Sequence, residues 1–156
     1  MSNEVKVMYD DRSIDVSKEV SLVWSIANSL RGPYKSDKYK DVIIPMIILR
    51  RLECALEKTK QAVVEAYDKN PNTPKDILEV ISGYSFYNTS PYNLKKLLND
   101  PNKIAENLKE YINGFSANVQ NIFGKEEGLD FFPQIDKMDK NNRLYSVVKK
   151  VFWIRS

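Results

Sequence analysis

Between Asp41 and Arg50 the chain runs Val42-Ile43-Ile44-Pro45-Met46-Ile47-Ile48-Leu49 without one polar side chain. With Leu52 beyond it, the stretch is apolar on most faces of a helix, which predicts an element at the centre of a core. Pro45 has no N–H and cannot bond the carbonyl of Asp41, so a kink is expected there. The run is eight residues long, too short for a bilayer that needs about 20.

This helix is expected to begin near Tyr39, capped by Ser36 or Asp37, and to continue toward Lys69. Leu56, Val63 and Tyr67 keep one face apolar until Asn70-Pro71 stops it. Unbroken, it would be about 45 Å long. Upstream, Val20, Val23, Trp24, Ala27 and Leu30 recur at helical spacing before Arg31-Gly32-Pro33. That spacing predicts a helix with Trp24 in its buried face.

Thr73-Pro74, Ser90-Pro91 and Asp100-Pro101 each set a capping side chain before a proline at a first helical position. They predict short helices over 75–81, 92–98 and 102–112. Ser116 opens another to Phe123, residues 128–133 form a loop anchored by aromatics, and a last helix runs from about Gln134 through Val148. The Tyr- and Phe-rich stretch 83–89 is expected to be extended, and Val5, Val7 and Tyr9 alternate as a short strand would. The fold class is mainly α: a compact helical bundle with a long Pro-kinked central helix and several short Pro-initiated ones. Residues 1–16 read as a polar arm, 17–150 as the helical domain and 151–156 as an apolar tail.

The sequence has 156 residues, 42% of them hydrophobic and 29% charged, the balance of one soluble globular domain able to fold without disulfides or metal. There is no histidine and a single cysteine, Cys54. Histidine-based acid–base catalysis, Ser-His-Asp triads, His-containing metal sites and four-cysteine zinc sites are thereby excluded within the chain. Cys54, beside Leu52 and Leu56, reads as a small core residue. The five glycines never form GxGxxG or a Walker loop. Asn70-Pro71-Asn72-Thr73 begins like an amino-methyltransferase Asn-Pro-Pro-aromatic loop but lacks the second proline and the aromatic. Asp10-Asp11 and Glu126-Glu127 fall in polar segments and read as solvated charges. No catalytic or cofactor-binding constellation is present, no signal peptide opens the chain, and the expected compartment is the cytoplasm.

The remaining functional signal is basic. The net charge is only +3, but residues 31–60 hold eight Lys/Arg against four Asp/Glu, and 137–156 hold six against one. Lys35, Lys38 and Lys40 cluster at a helix start, with Arg50 and Arg51 beyond Pro45. These five are the candidate DNA contacts, able to hold phosphates without reading sequence. The competing reading pairs Arg50 and Arg51 with Glu53 or Glu57 and leaves the lysines as solvated surface. Tyr84, Phe86, Tyr87 and Tyr92 suit a base-stacking platform, but at this density packing is the expected role.

Longer strings carry a more specific signal. Leu22-Val-Trp24-Ser-Ile-Ala27-Asn-Ser-Leu30-Arg31-Gly32, Tyr39-Lys-Asp-Val-Ile-Ile-Pro45-Met-Ile-Ile-Leu49-Arg50-Arg51-Leu52, Phe86-Tyr-Asn-Thr-Ser-Pro91, Asn107-Leu-Lys-Glu-Tyr-Ile-Asn-Gly-Phe-Ser116 and Asn142-Arg-Leu-Tyr-Ser-Val-Val-Lys-Lys150 occur in order. Together they resemble the N-terminal helical domain of type I restriction–modification methylation subunits, over about residues 20–150. The resemblance implies a module of an adenine-N6 DNA methyltransferase that uses S-adenosylmethionine. It also implies three partners: DNA, a specificity subunit and a second methylation subunit. The family's cofactor and catalytic loops lie downstream of this region, so no catalytic or cofactor residue carries over, and no methyl transfer is expected of this chain alone. Val151-Phe-Trp-Ile-Arg-Ser156 departs from the family pattern of Phe-x-x-Ile followed by an acidic residue. The departure suggests a truncated or frameshifted gene. Its apolar tail is expected either to fold back or to expose a patch that promotes self-association.

Overall fold

The structure, a computed structural model, describes residues 17–155. The expected arm and the Val5–Tyr9 strand lie outside them. Among the described residues the secondary structure is nine α-helices, two 3-10 turns and two isolated β-bridges. The mainly α expectation therefore holds.

The hub is the last helix, α9 (Leu144–Phe152), and not the proline-bearing one. It packs against α1 (Ser17–Leu30), α2 (Lys40–Leu56), α5 (Leu94–Leu98), α6 (Ile104–Asn113) and α8 (Phe132–Lys140). Leu144, Val147, Val148 and Val151 are all buried, a spacing of three and four that lines one helical face. Helix α2 supplies Val42, Met46 and Leu49 to the same core and passes through Pro45 without ending. Its opposite side is open, however, with Ile44 47% exposed.

Trp24 is 64% exposed, which corrects its expected place in the buried face of α1. The cause is the α1–α9 contact. Ser29 Oγ and Ser146 Oγ lie 2.9 Å apart, and Lys150 Nζ donates to the Ser25 carbonyl and to Ser29 Oγ. Small polar residues thus share the interface with Ile26 and Leu30, and the helix is rolled so that Val20 and Trp24, one turn apart, face outward.

The expected continuous helix from Tyr39 to Lys69 is also broken. A turn at 57–59 separates α2 from α3 (Lys60–Lys69). There the Thr59 hydroxyl donates to the Ser82 carbonyl at 2.8 Å, and its N–H tightens back onto the Leu56 carbonyl. A hydroxyl with a backbone partner outside its own helix favours leaving that helix. Helices α3 and α4 (Lys75–Ser82) then pack on each other, burying Val63 and Leu78 apart from the main core.

The three Pro-led starts fare differently. Pro74 precedes α4 from the cap position and not from the first turn, and the Thr73 hydroxyl donates back to the Asn70 carbonyl instead of capping the helix. Pro91 does not open α5; Ser90 Oγ accepts from the Tyr92 N–H, and Asn93 is the cap, accepting from the Lys96 N–H at 2.8 Å. Pro101 starts a 3-10 turn, Pro101–Lys103, ahead of α6. The expected single last helix is two, α8 and α9. Asn142 sits at φ 57, the Arg143 N–H bonds the Met138 carbonyl and the Asn142 N–H bonds that of Asp139. These two bonds are the Schellman pattern, with asparagine standing in for the usual glycine.

The 83–89 stretch is extended only where it meets the end of α6. Asn88 bridges Phe115, and the Thr89 N–H donates to the Gly114 carbonyl. The aromatic loop is anchored as expected, with Phe131 buried 6.2 Å from Phe123, a residue of α7 (Ala117–Phe123), ring to ring.

Candidate functional site

Two features of this bundle stand out: an open face on α1 and α2, and a cavity behind α2.

On the open face, Lys40, Ile44, Ile47 and Arg51 follow one another at i, i+4, i+7 and i+11, which places them along one stripe of α2. Lys40, Ile44 and Arg51 are exposed, as are Lys35 and Lys38 in the 3-10 turn just before the helix. Arg51 and Ile47 meet Val20, Val23 and Trp24 of α1 around a hollow of about 240 Å³ floored by Ile154. Glu19 borders this hollow and a second one lined by Leu22 and Trp153. Both tryptophans are open to solvent, Trp153 at 60%. Glu19 Oε2 is buried with no hydrogen-bond partner among the described residues. The apolar tail divides between its two expected fates: Val151 and Ile154 fold onto the core, whereas Trp153 points outward.

Arg50 leaves this face and so stands apart from the other four candidate DNA contacts. The residue is 7% exposed. Its Nε donates to the Ile154 carbonyl at 2.8 Å, Nη1 pairs with Glu53 Oε2 at 2.6 Å, and its guanidinium carbon stands 4.9 Å over the Phe152 ring. A guanidinium so engaged is a strut between α2 and the tail, as the competing ion-pair reading had it for Glu53. The aromatic group divides as well. Phe86 and Tyr92 pack against the core, and Tyr84 stays 46% exposed beside Phe86. Cys54 is half-buried.

The cavity, about 270 Å³, gathers side chains that no local spacing connects: Arg50 and Glu53 from α2, Lys60 from α3, Asn88 from the 83–89 stretch, Tyr111 from α6 and Arg155. Glu53 Oε1 accepts from the Leu94 N–H at 2.8 Å and from the Tyr111 hydroxyl at 2.9 Å. Asn88 Oδ1 accepts from Lys60 Nζ at 2.6 Å, and Asn88 Nδ2 donates to the Tyr111 carbonyl. Lys60 Nζ also stands 5.1 Å from the centre of the Tyr111 ring. Burial lowers the Lys60 pKa to about 7, with Glu53 working against the shift and Lys96 adding to it. Burial and then the Glu53 charge hold the Tyr111 hydroxyl well above its ordinary value. Among the described residues no group of three or more Cys, Asp or Glu side chains is placed to hold a metal ion, and no helix is long and apolar enough to cross a membrane.

The HsdM N-terminal domain family matches residues 20–151. The chain belongs to that family. It is thus an N-terminal domain of a type I restriction–modification methylation subunit. No match was found among curated proteins or among solved structures. The HsdM match opens in the first turn of α1 and closes in the last turn of α9, the two helices whose serine-lined contact turns Trp24 outward. The open face and the cavity both belong to this HsdM module.

Proposed function

We propose that this HsdM N-terminal domain is a gripping module of the methylation subunit, engaging partner protein through its apolar face and DNA through the lysines beside it. The observation that carries the reading is the continuity of the α2 stripe. Lys40 begins it, Ile44 and Ile47 continue it toward Trp24, and Arg51 ends it. Exposed tryptophans suit the centre of a protein interface, where aromatics are enriched and charges depleted. Lys35, Lys38, Lys40 and Arg51 suit a phosphate track at its edge. The partners are the specificity subunit and a second methylation subunit, in the cytoplasm. The S-adenosylmethionine-dependent transfer belongs to the catalytic part of such a subunit, into which a target base would be flipped.

A second reading, assembly without any DNA contact, is favoured by the burial of Arg50, which leaves four of the five basic candidates free. Fluorescence anisotropy of a labelled duplex at low and physiological salt separates the two. Phosphate contacts give a fall of about 0.9 log unit in affinity per log unit of salt for each contact. Steep salt dependence that disappears in a Lys35/Lys38/Lys40/Arg51→Gln variant supports DNA engagement. Absence of binding at both salts assigns the face to protein alone.

A further inference from the structure

The cavity behind α2 carries four basic side chains, Arg50, Lys60, Lys95 and Arg155, against two carboxylates, Glu53 and the exposed Glu57. The two oxygens of Glu53 take three hydrogen bonds, from Arg50, Leu94 and Tyr111. Asn88 Oδ1 takes two, from Lys60 and the Ser90 N–H, and Asn93 Oδ1 caps α5. Lys60 carries three N–H donors, of which the structure uses one, on a neutral amide oxygen. Lys95 and Arg155 also line the cavity and are exposed, and neither forms an ion pair among the described residues. A desolvated ammonium ordinarily has a carboxylate against it; Glu53, the one that favours the charged form of Lys60, is already held by Arg50, Leu94 and Tyr111.

Part of the wall is apolar. Leu56, Phe152 and Tyr111 close the space around these donors. Its volume, about 270 Å³, lies just under the usual range for small-molecule sites. A duplex phosphate would bring a sugar and neighbouring phosphates that a recess of about 270 Å³ has no room for, so a compact free acid fits better.

We propose that this cavity binds a small organic acid, with its oxyanion against Lys60, Lys95 and Arg155 and its apolar body between Leu56, Phe152 and the ring of Tyr111. Binding is expected to carry a pH signature. Around Lys60, Glu53 holds the proton on the amine, while Lys96 and burial drive it off. Glu57 from α2 and Lys95 and Arg155 also face the cavity, and Tyr111 stays protonated. An arriving anion favours the ammonium, so affinity falls as pH rises past the Lys60 pKa of about 7, by up to about tenfold per pH unit.

The test titrates the intact chain with benzoate and with benzamide, its neutral counterpart, by calorimetry from about pH 6 to about pH 9, where benzoate stays ionised. The expected result is benzoate binding at least about tenfold tighter than benzamide and weakening with pH. Lys60→Met should remove both the preference and the pH slope. Arg155→Gln, an exposed change that leaves the fold alone, should weaken benzoate several-fold. Amide NMR spectra confirm that both variants are folded. Equal binding of the two probes, a flat pH profile with both variants unaltered, or no benzoate binding at about 10 mM overturns the proposal. Loss of duplex affinity in Lys60→Met without benzoate binding in the unaltered chain also overturns it, in favour of a nucleic-acid phosphate.

Discussion

Arg50 Nε donates to the carbonyl of Ile154 at 2.8 Å, tying the third turn of α2 to the residue that floors the Trp24 hollow. The same guanidinium neutralises Glu53, whose other oxygen holds Tyr111 and the start of α5. One side chain therefore joins the open face to the cavity. Arg50→Met is expected to leave the Glu53 carboxylate, 11% exposed, without its counter-ion. Breaking a buried pair in this way costs about 3–5 kcal/mol. Urea unfolding checks it; a loss under about 1 kcal/mol would show that the strut contributes little.

Trp24→Ala and Trp153→Ala are expected to change unfolding free energy by no more than about 1 kcal/mol each, as exposed positions do. Both rings stand more than half in solvent. A buried Trp24 would instead cost about 3–5 kcal/mol. Binding is where the changes should show: each is expected to weaken capture of the specificity subunit or of a second methylation subunit, measured by calorimetry. Unchanged affinity for both partners would remove the tryptophans from the assembly face.

The helical class, the stop at Gly32 and the anchoring of Phe131 could be read from spacing and caps, because those signals act over one or two turns. Trp24 could not be placed that way. Its helix presents two apolar sides, and the choice between them was made by Ser29 and Lys150 meeting across the α1–α9 contact. The break at Thr59 has the same origin, since its decisive acceptor is the carbonyl of Ser82, twenty-three residues away. Arg50 offered a local signal, Glu53 three positions on, which competed with the phosphate reading. The cavity offered none. Lys60, Asn88 and Tyr111 share no motif and meet only because α3, the 83–89 stretch and α6 converge on α2.

Gly114 shows how tight that convergence is. A Cβ there would fall 2.6 Å from Ser90 Cβ, 2.9 Å from the Ser90 backbone nitrogen and 3.0 Å from Asn88 Oδ1. Its φ of −80° is ordinary, so the obstacle to a side chain is space and not conformation. Gly114→Ala is expected to cost about 1–3 kcal/mol, the range for overpacking a fitted contact. Thermal unfolding measures the cost, and a shift in the Lys60 titration reports whether Asn88 has moved.

Lys60 also gives stability a pH dependence with a definite sign. Its folded pKa is about 7, against 10.5 for an ordinary lysine. Between those values the unfolded chain holds a proton that the folded chain has released, so unfolding free energy rises with pH across that window. Tyr111 acts in the opposite sense. Its folded pKa lies well above 10.0, so above about pH 10 the unfolded chain ionises first and stability falls. The expected profile is an increase from neutral pH toward about pH 9–10, followed by a decline. Lys60→Met should flatten the rising limb and leave the alkaline fall in place, whereas Tyr111→Phe should lessen the fall, to which Tyr34 and Tyr87 also contribute because burial raises their pKa values, and keep the rise. Urea midpoints of the three proteins at about pH 7, 9 and 11 decide it. A rising limb that persists in Lys60→Met would mean that another group, and not this half-buried amine, supplies the proton linkage.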